Sequence, residues 1–571
     1  MTQGWKRRDA LLLALIVTGG AVARFYGLGF GLPHQGVRPD ELTLIARVME
    51  FFSWDLNPRF FSYPSLLMYV LFAAYNVYYF LGLALGRFQS LGNFVALYAV
   101  DPSSFFLISR GISAIFGTIS IVALYQVGMR LFGRLVALLG AFFLAFAYLH
   151  VRDSHFGTTD VPVTFFLIAS YVGLAAVWDS SSARHATWAG LFAGLAASTK
   201  YMGVLLWVPM TLVRLLSPAL PERSRPAALN RILIFFGLAF FAAFLAGTPF
   251  ALVELGRIRG DFVREIRAVW AFGYPLPPAW IYHLTVSLRY GLGLPLLGAA
   301  LAGGLVLIRR DWEKACLFMS FPLLYYVLMG RGNRDFVRYA IPLIPFLCVM
   351  AAGFVEYVHA LARKRLAPGL STGLTTALAV LLVLPSMVSV ARFDWLLSKE
   401  DRRVTARRYV EKSIPPGSTL SEFSSSFGEL ELSPSADSLQ KLLESPESKP
   451  VQKQIDRARW DAVRAGERPG YRLARYDPET KQFQADDGTV VENPDFLVLE
   501  DSPLRFYPAT VPPEIRDLTR WGYVLKQSFV AYGALPTGTI FNEMDAFYLP
   551  FAGFAGYSSP GPNIFIYQRI R

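Results

Sequence analysis

The chain has 571 residues, 54% of them hydrophobic and 15% aromatic, with a net charge of +13. That composition excludes a disordered chain and an ordinary soluble globular protein, and points to one that crosses a membrane many times. The stretch from Trp395 onward carries a net charge of about −2 by count, so the positive excess belongs to the apolar part, where cationic loops suit anionic lipid; nucleic acid is disfavoured, because the tail has no basic stripe.

The first eighteen residues combine Lys6-Arg7-Arg8 with an apolar run. The run is long and lacks a small-x-small cleavage site, so it reads as a retained first helix rather than a signal peptide. Further apolar runs give candidate spans at roughly 10–29, 64–85, 104–128, 135–150, 160–178, 186–216, 231–250, 284–308, 315–330, 339–360 and 371–391. Cys316 and Cys348, the two cysteines, both lie in these runs and read as core residues.

Arg38-Pro39-Asp40-Glu41 follows directly on the first run. Two carboxylates at the mouth of a membrane-embedded chain are expensive and point to function. Leu42, Ile45, Ala46, Met49 and Phe52 recur at helical spacing behind them, which places Asp40 at or near a helix N-cap. Two readings stand: Asp40 caps the helix, or, kept ionised by the helix terminus, it acts as a general base toward an acceptor hydroxyl or amine. Tyr63, in Ser62-Tyr63-Pro64-Ser65, is an interface anchor or a phosphate hydrogen-bond donor. Arg152-Asp153-Ser154-His155, with Asp160, forms a second polar cluster between two spans. It is a hydrogen-bonded loop, or a second acid that positions the acceptor; the lone His beside carboxylates leaves room for a divalent cation but names no metal site.

Positive-inside bookkeeping orients the chain. Lys6-Arg7-Arg8, Arg130 to Arg134, Arg184-His185, Arg223 to Arg231, Arg309-Arg310 and Arg363-Lys364-Arg365 are assigned inside. Two repairs are needed. Residues 64–85, with Tyr63, Tyr69, Tyr75, Tyr78 and Tyr79 at interfacial depth, lie along the membrane rather than across it. Residues 186–216, basic at both ends, form two half-length helices that meet near Lys200 in a recess below the outer surface. About eleven spans result, with the N-terminus inside and a soluble α/β domain, 394–571, outside a membrane domain of 1–393. Asp40, Glu41, Asp153, His155, Asp160, Lys200, Arg331, Arg334 and Arg338 then face the outer side. Cations on that side ask for anionic partners, which makes Lys200, Arg331 and Arg338 phosphate-binding candidates, unless they snorkel to lipid headgroups. A Walker A motif and a GxGxxG after a strand are both absent, so a soluble nucleotide on a Rossmann domain is excluded as the group donor.

Arg38-Pro39-Asp40-Glu41, Asp55-Leu56-Asn57-Pro58 and Phe61-Ser62-Tyr63-Pro64-Ser65-Leu66 resemble the first outer loop of bacterial dolichyl-phosphate-mannose–protein-mannosyltransferase-like glycosyltransferases. Arg152-Asp153-Ser154-His155-Phe156 with Asp160-Val161-Pro162 resembles their second outer loop. Ser198-Thr199-Lys200-Tyr201, Gly247-Thr248-Pro249-Phe250, Arg338-Tyr339, Pro415-Pro416-Gly417 and the run from Gly561 to Tyr567 extend the match over nearly the whole chain. The resemblance implies a GT-C fold in the cell membrane, a polyprenyl-phosphate sugar donor, and inverting transfer on the outer face to a glycan, lipid or protein acceptor. It assigns catalysis to Asp40, with Glu41 beside it, and to Asp160. It gives lipid-phosphate binding to Lys200 and Arg338; Tyr63, Arg152, His155 and Arg331 are further candidates for substrate or lipid-phosphate contact from the reading of the residues themselves. Tyr63-Pro64 replaces the Lys-Pro of the related aminoarabinose transferases, which argues against a lipid A acceptor. The loop from about 251 to 283 is too short for the inserted domain of eukaryotic protein mannosyltransferases, and the lack of a Trp-Trp-Asp motif argues against an oligosaccharyltransferase. The competing class is a transporter or flippase of a lipid-linked anion, which would show inverted repeats and midplane charges; the sequence has neither.

Overall fold

The computed structural model describes residues 7–218, 225–271, 278–332, 336–444, 449–486 and 488–570. Lys6, Arg223 and Arg334, used above to orient the chain, lie outside the described residues. The chain packs as two compact units: one of residues 1–26, 57–70 and 109–392, the other of 27–56, 71–108 and 393–571. The division by packing therefore differs from the division by sequence into 1–393 and 394–571, because two early segments share a core with the C-terminal region.

The first unit is helical. Among the described residues, five helices are long and apolar enough to cross a membrane: Leu66–Ala84, Ser103–Leu131, Asp160–Ser180, Val337–Arg363 and Pro368–Ser413. Counting two bent pairs as single spans gives seven; Arg134–Phe146 turns by 56° into Tyr148–Ser154, and Ala279–Leu292 turns by 112° into Leu294–Arg310. The expected eleven is not reached by length and composition, because runs such as Tyr201–Leu216 and Arg231–Gly247 are cut to 10–17 residues. Small residues let the helices approach closely. A Cβ on Gly303 would lie 1.8 Å from the carbonyl oxygen of Met350, and one on Gly190 would lie 2.1 Å from that of Phe236.

Residues 186–216 are broken where expected. Helix Ala183–Thr199 ends at Lys200, whose backbone is extended (φ −149°, ψ 138°), and a 3-10 turn, Tyr201–Leu206, leads into helix Trp207–Leu216. Residues 64–85 behave less simply. Helix Leu66–Ala84 has 19 residues, about 28 Å of rise, so its length permits a full crossing as well as an interfacial lie. Tyr75 is no interface anchor: it is fully buried, its hydroxyl donates to the Phe105 carbonyl at 3.0 Å, and its ring packs edge-on against Phe105. Tyr78 and Tyr79 likewise stack among Phe88, Phe94 and one another's neighbours. Aromatic packing, not interfacial wetting, explains these tyrosines.

The second unit is built on a seven-stranded sheet with strands β1 (Thr419–Phe423), β2 (Arg472–Asp477), β3 (Gln482–Ala485), β4 (Val490–Val491), β5 (Phe496–Asp501), β6 (Tyr523–Phe529) and β7 (Asn563–Arg569), in the order β4-β3-β2-β1-β5-β7-β6. β1 runs parallel to β2 and β5; the other pairs are antiparallel. Side chains of β5 alternate between two cores. Phe496 and Val498 join Ala406, Val410, Leu420 and Ile566 on one face; Leu497 and Leu499 join Phe423, Ile515 and Tyr523 on the other, as the period of two requires.

Candidate functional site

In the first unit, Asp160 opens helix Asp160–Ser180, in the first turn, where a carboxylate is favoured. Its Oδ1 meets Lys200 Nζ at 2.5 Å, with Asp160 5% and Lys200 14% exposed. The helix break at Lys200 is what delivers this ammonium, which also lies 5.4 Å from the Tyr339 ring, a cation–π distance. Tyr325 donates its hydroxyl to the Tyr339 carbonyl at 2.9 Å. Next to Tyr339, Arg338 is buried in the 3-10 turn Val337–Leu343, its guanidinium 4.1 Å from the Phe336 ring. Asp160, Lys200 and the Arg338-Tyr339 turn are thus gathered together in this unit. Sequence reasoning assigned Asp160 and Lys200 separate tasks and missed both their pairing and Tyr325.

The motifs quoted above are also stitched together within this unit. Ser198 and Thr248 share a hydroxyl hydrogen bond of 2.7 Å, and Ser65 donates to the Gly247 carbonyl at 3.1 Å. Tyr201 donates to the Phe61 carbonyl at 2.7 Å, and the Phe61 amide donates to Asp261 at 2.8 Å. Tyr63 is half-buried and sits edge-on to Phe60.

In the second unit, Asp40 and Glu41 lie in the first turn of helix Pro39–Glu50. Arg38 is the N-cap, with extended backbone, and Pro39 opens the helix, as its fixed φ and missing N–H favour. Asp40 is therefore the second helical residue, near the N-cap as expected, and Arg38 occupies the cap itself. The buried face is Glu41, Leu44, Ile45, Val48, Met49 and Phe52, not the face through Leu42 and Ala46; Glu41, fully buried, belongs to it.

This helix is held at both ends by the C-terminal segment of the same unit. Arg38 pairs with Asp545 Oδ1 at 3.0 Å and donates to the Asp545 carbonyl at 2.9 Å, with both side chains essentially unexposed. The Gln35 and Gly36 amides each donate to Glu431 Oε1 at 2.9 Å, and His34 Nε2 lies 2.7 Å from the Glu429 carbonyl. At the far end, Lys449 meets Glu50 at 2.8 Å. Glu431 holds a left-handed backbone, φ 54°, a conformation that non-glycine residues adopt at a cost. Burial lowers the pKa of His34 despite the neighbouring Glu431; the Glu429 carbonyl can only accept, so Nε2 donates.

The remaining candidates fall elsewhere. Arg152 and Asp153 pair with each other at 2.9 Å, both buried, in helix Tyr148–Ser154 rather than in a loop. His155 is buried, with Nδ1 3.0 Å from the Val151 carbonyl and Nε2 2.9 Å from the Tyr26 carbonyl; the hydrogen-bonded reading accounts for it. Arg331 is exposed in a turn. Among the described residues, no three His, Cys, Asp or Glu side chains are grouped to hold a metal ion.

Residues 105–246, which contain Asp160 and Lys200, match the family model of dolichyl-phosphate-mannose-protein mannosyltransferases. The resemblance to membrane glycosyltransferases carried by the motifs is thereby met over this stretch. Solved structures similar to the chain include the oligosaccharyltransferase of Archaeoglobus fulgidus tethered to an acceptor peptide (14% identity, 72% of this chain, TM-score 0.48). They also include ArnT from Cupriavidus metallidurans bound to undecaprenyl phosphate (13% identity, 99% of this chain and 98% of that one, TM-score 0.47). A third is the S. cerevisiae protein O-mannosyltransferase Pmt1–Pmt2 complex bound to its sugar donor (18% identity, 44% and 34%, TM-score 0.33). The chain spans 58% of the length of the archaeal oligosaccharyltransferase. No curated protein matches it.

Proposed function

We propose that the chain is an inverting glycosyltransferase of the outer membrane face, moving a sugar from a polyprenyl-phosphate donor to an acceptor hydroxyl or amine. The observation that carries this reading is the family-model match over residues 105–246, which includes the joined pair Asp160 and Lys200. Asp40 takes the acceptor proton as the nucleophile attacks the anomeric carbon. The bond from that carbon to the phosphate oxygen breaks with inversion, and polyprenyl phosphate departs with the electron pair. Asp40 stands in the first turn of helix Pro39–Glu50, where the helix terminus favours negative charge, as suits a base of this kind. Lys200 and Arg338 are assigned to the departing phosphate, an electrostatic role. Asp160 then serves as the counter-ion that holds Lys200 in place while no phosphate is bound.

The test is incubation of the full chain in nanodiscs with a panel of polyprenyl-phosphate sugars and candidate acceptors, scored for release of polyprenyl phosphate. Release from at least one donor, abolished in Asp40→Asn, is the expected result. Donor binding with no release from any member, in the presence of membrane extract as acceptor, would return the transporter reading.

A further inference from the structure

The helices of the first unit leave a cavity of about 1020 Å³, at the upper end of the usual range for a ligand site. Five arginines line it. Arg8 comes from helix Arg7–Phe25, Arg134 from Arg134–Phe146, Arg309 and Arg310 from Leu294–Arg310, and Arg363 from Ile344–Arg363. The first two stand in the first turns of their helices and the other three in the last turns, so all five gather at one end of the bundle. Leu12, Leu138 and Val306 also line the cavity, each three or four residues, about one helical turn, further into the bundle than an arginine of the set. The rim is therefore cationic and the floor apolar. His359 Nδ1, 2.7 Å from the Thr375 hydroxyl, ties helix Ile344–Arg363 to helix Pro368–Leu397 and braces the wall.

Carboxylates answer two of the five charges. Arg134 pairs with Asp9, and Arg310 pairs with Glu356, the one carboxylate in the lining. Among the described residues, Arg8, Arg309 and Arg363 make no ion pair. A count over the whole end of the bundle agrees. Segments 7–12, 130–138, 179–184, 306–314 and 356–372 hold eleven Lys and Arg against five Asp and Glu, a surplus of six. The other carboxylates of that count serve elsewhere: Asp179 lies 3.9 Å from Arg130, Asp311 meets Lys314 at 3.2 Å, and Glu313 is outside the lining. A cationic rim above an apolar floor complements an anionic headgroup that carries acyl chains.

We infer that this cavity seats the phosphate headgroup of an anionic phospholipid, with Arg8, Arg309 and Arg363 on the phosphate and the acyl chains along Leu12, Leu138 and Val306. The bias of basic residues assigns this end to the cytoplasmic leaflet, where anionic lipids attract such clusters. A free phosphate would satisfy the rim but leave the apolar floor without a partner. The inference goes beyond glycosyl transfer and does not depend on that reading.

Native mass spectrometry on the full chain in detergent tests it, with dioleoyl phosphatidylglycerol, dioleoyl phosphatidylcholine and inorganic phosphate as probes. Phosphatidylglycerol should bind, and phosphatidylcholine, neutral overall, should bind at least about tenfold less tightly. Arg309→Gln and Arg363→Gln should each weaken phosphatidylglycerol binding about fivefold, what one cation near the membrane surface contributes toward an anionic lipid. Arg365→Gln removes a charge from the same end that does not line the cavity and should leave the affinity unchanged. Arg309 and Arg363 are both exposed, and either variant carries the test if the other does not fold. Losses in these two variants that Arg365→Gln does not share support a built site. Equal binding of the two lipids, an equal loss in Arg365→Gln, or inorganic phosphate bound as tightly as phosphatidylglycerol overturns the inference.

Discussion

The two units treat their acids in opposite ways. In the helical unit, Asp160 is committed to one partner, Lys200, at 2.5 Å. In the sheet-containing unit, the cation beside Asp40 is committed elsewhere, since Arg38 is turned to Asp545 at 3.0 Å. Asp160 serves as the fixed counter-charge of a buried ammonium, whereas the Arg38 charge is met by Asp545 from far along the chain, although Asp160 and Asp40 both stand in the first turn of a helix.

The largest expected effect tests that contrast directly. Asp40→Asn should lower turnover about 10²- to 10⁴-fold and leave polyprenyl-phosphate affinity unchanged, whereas Asp160→Asn should cost less turnover than Asp40→Asn. Equal losses, measured by polyprenyl phosphate release, would erase the distinction. Next, Asp545→Ala removes the carboxylate that the buried Arg38 meets at 3.0 Å and should destabilise the second unit by about 3–5 kcal/mol, read as lost hydrogen-exchange protection over residues 38–50. Lys200→Ala should weaken donor binding about ten- to a hundredfold; unchanged affinity would make Lys200 a structural partner of Asp160 only.

A pH prediction concerns the sheet unit. Burial, reinforced by Glu429, Glu500 and Glu431, pushes the pKa of Glu422 up to about 7, against the Leu430 amide. A raised carboxyl contributes stability that is present below its unfolded value and lost as pH rises through about 7. Glu422→Gln should therefore protect β1 and β5 better than the native chain at pH 8, by about 1–3 kcal/mol, and show little difference at pH 5. The smallest effect is expected from Lys449→Ala, which removes an exposed pair with Glu50 and should change stability by no more than about 1 kcal/mol.

What the sequence disclosed follows from the kind of signal each feature leaves. The break at Lys200 was legible because basic residues at both ends of an overlong run conflict with one straight span. The position of Asp40 near a helix start was legible from Pro39 and from the helical spacing that follows it. The tyrosines of 64–85 misled because an aromatic belt and an aromatic core have the same composition. Glu431 and Asp545 left no trace. They act on backbone amides and on one buried arginine hundreds of residues away, and neither periodicity nor spacing encodes such a partner.

That distance has a consequence for how the chain is made. His34 and the Glu429 carbonyl are 395 residues apart in sequence. At about 5–20 residues per second, the ribosome delivers the second partner roughly 20–80 s after the first. Throughout that interval the Asp40 helix exists without its clasp, and the buried Arg38 without its counter-ion. The segment must wait in a provisional state until nearly all of the polypeptide has emerged, so the clasp on the Asp40 helix is a late event in biogenesis. A ribosome stalled after the last apolar helix would leave that helix unclasped.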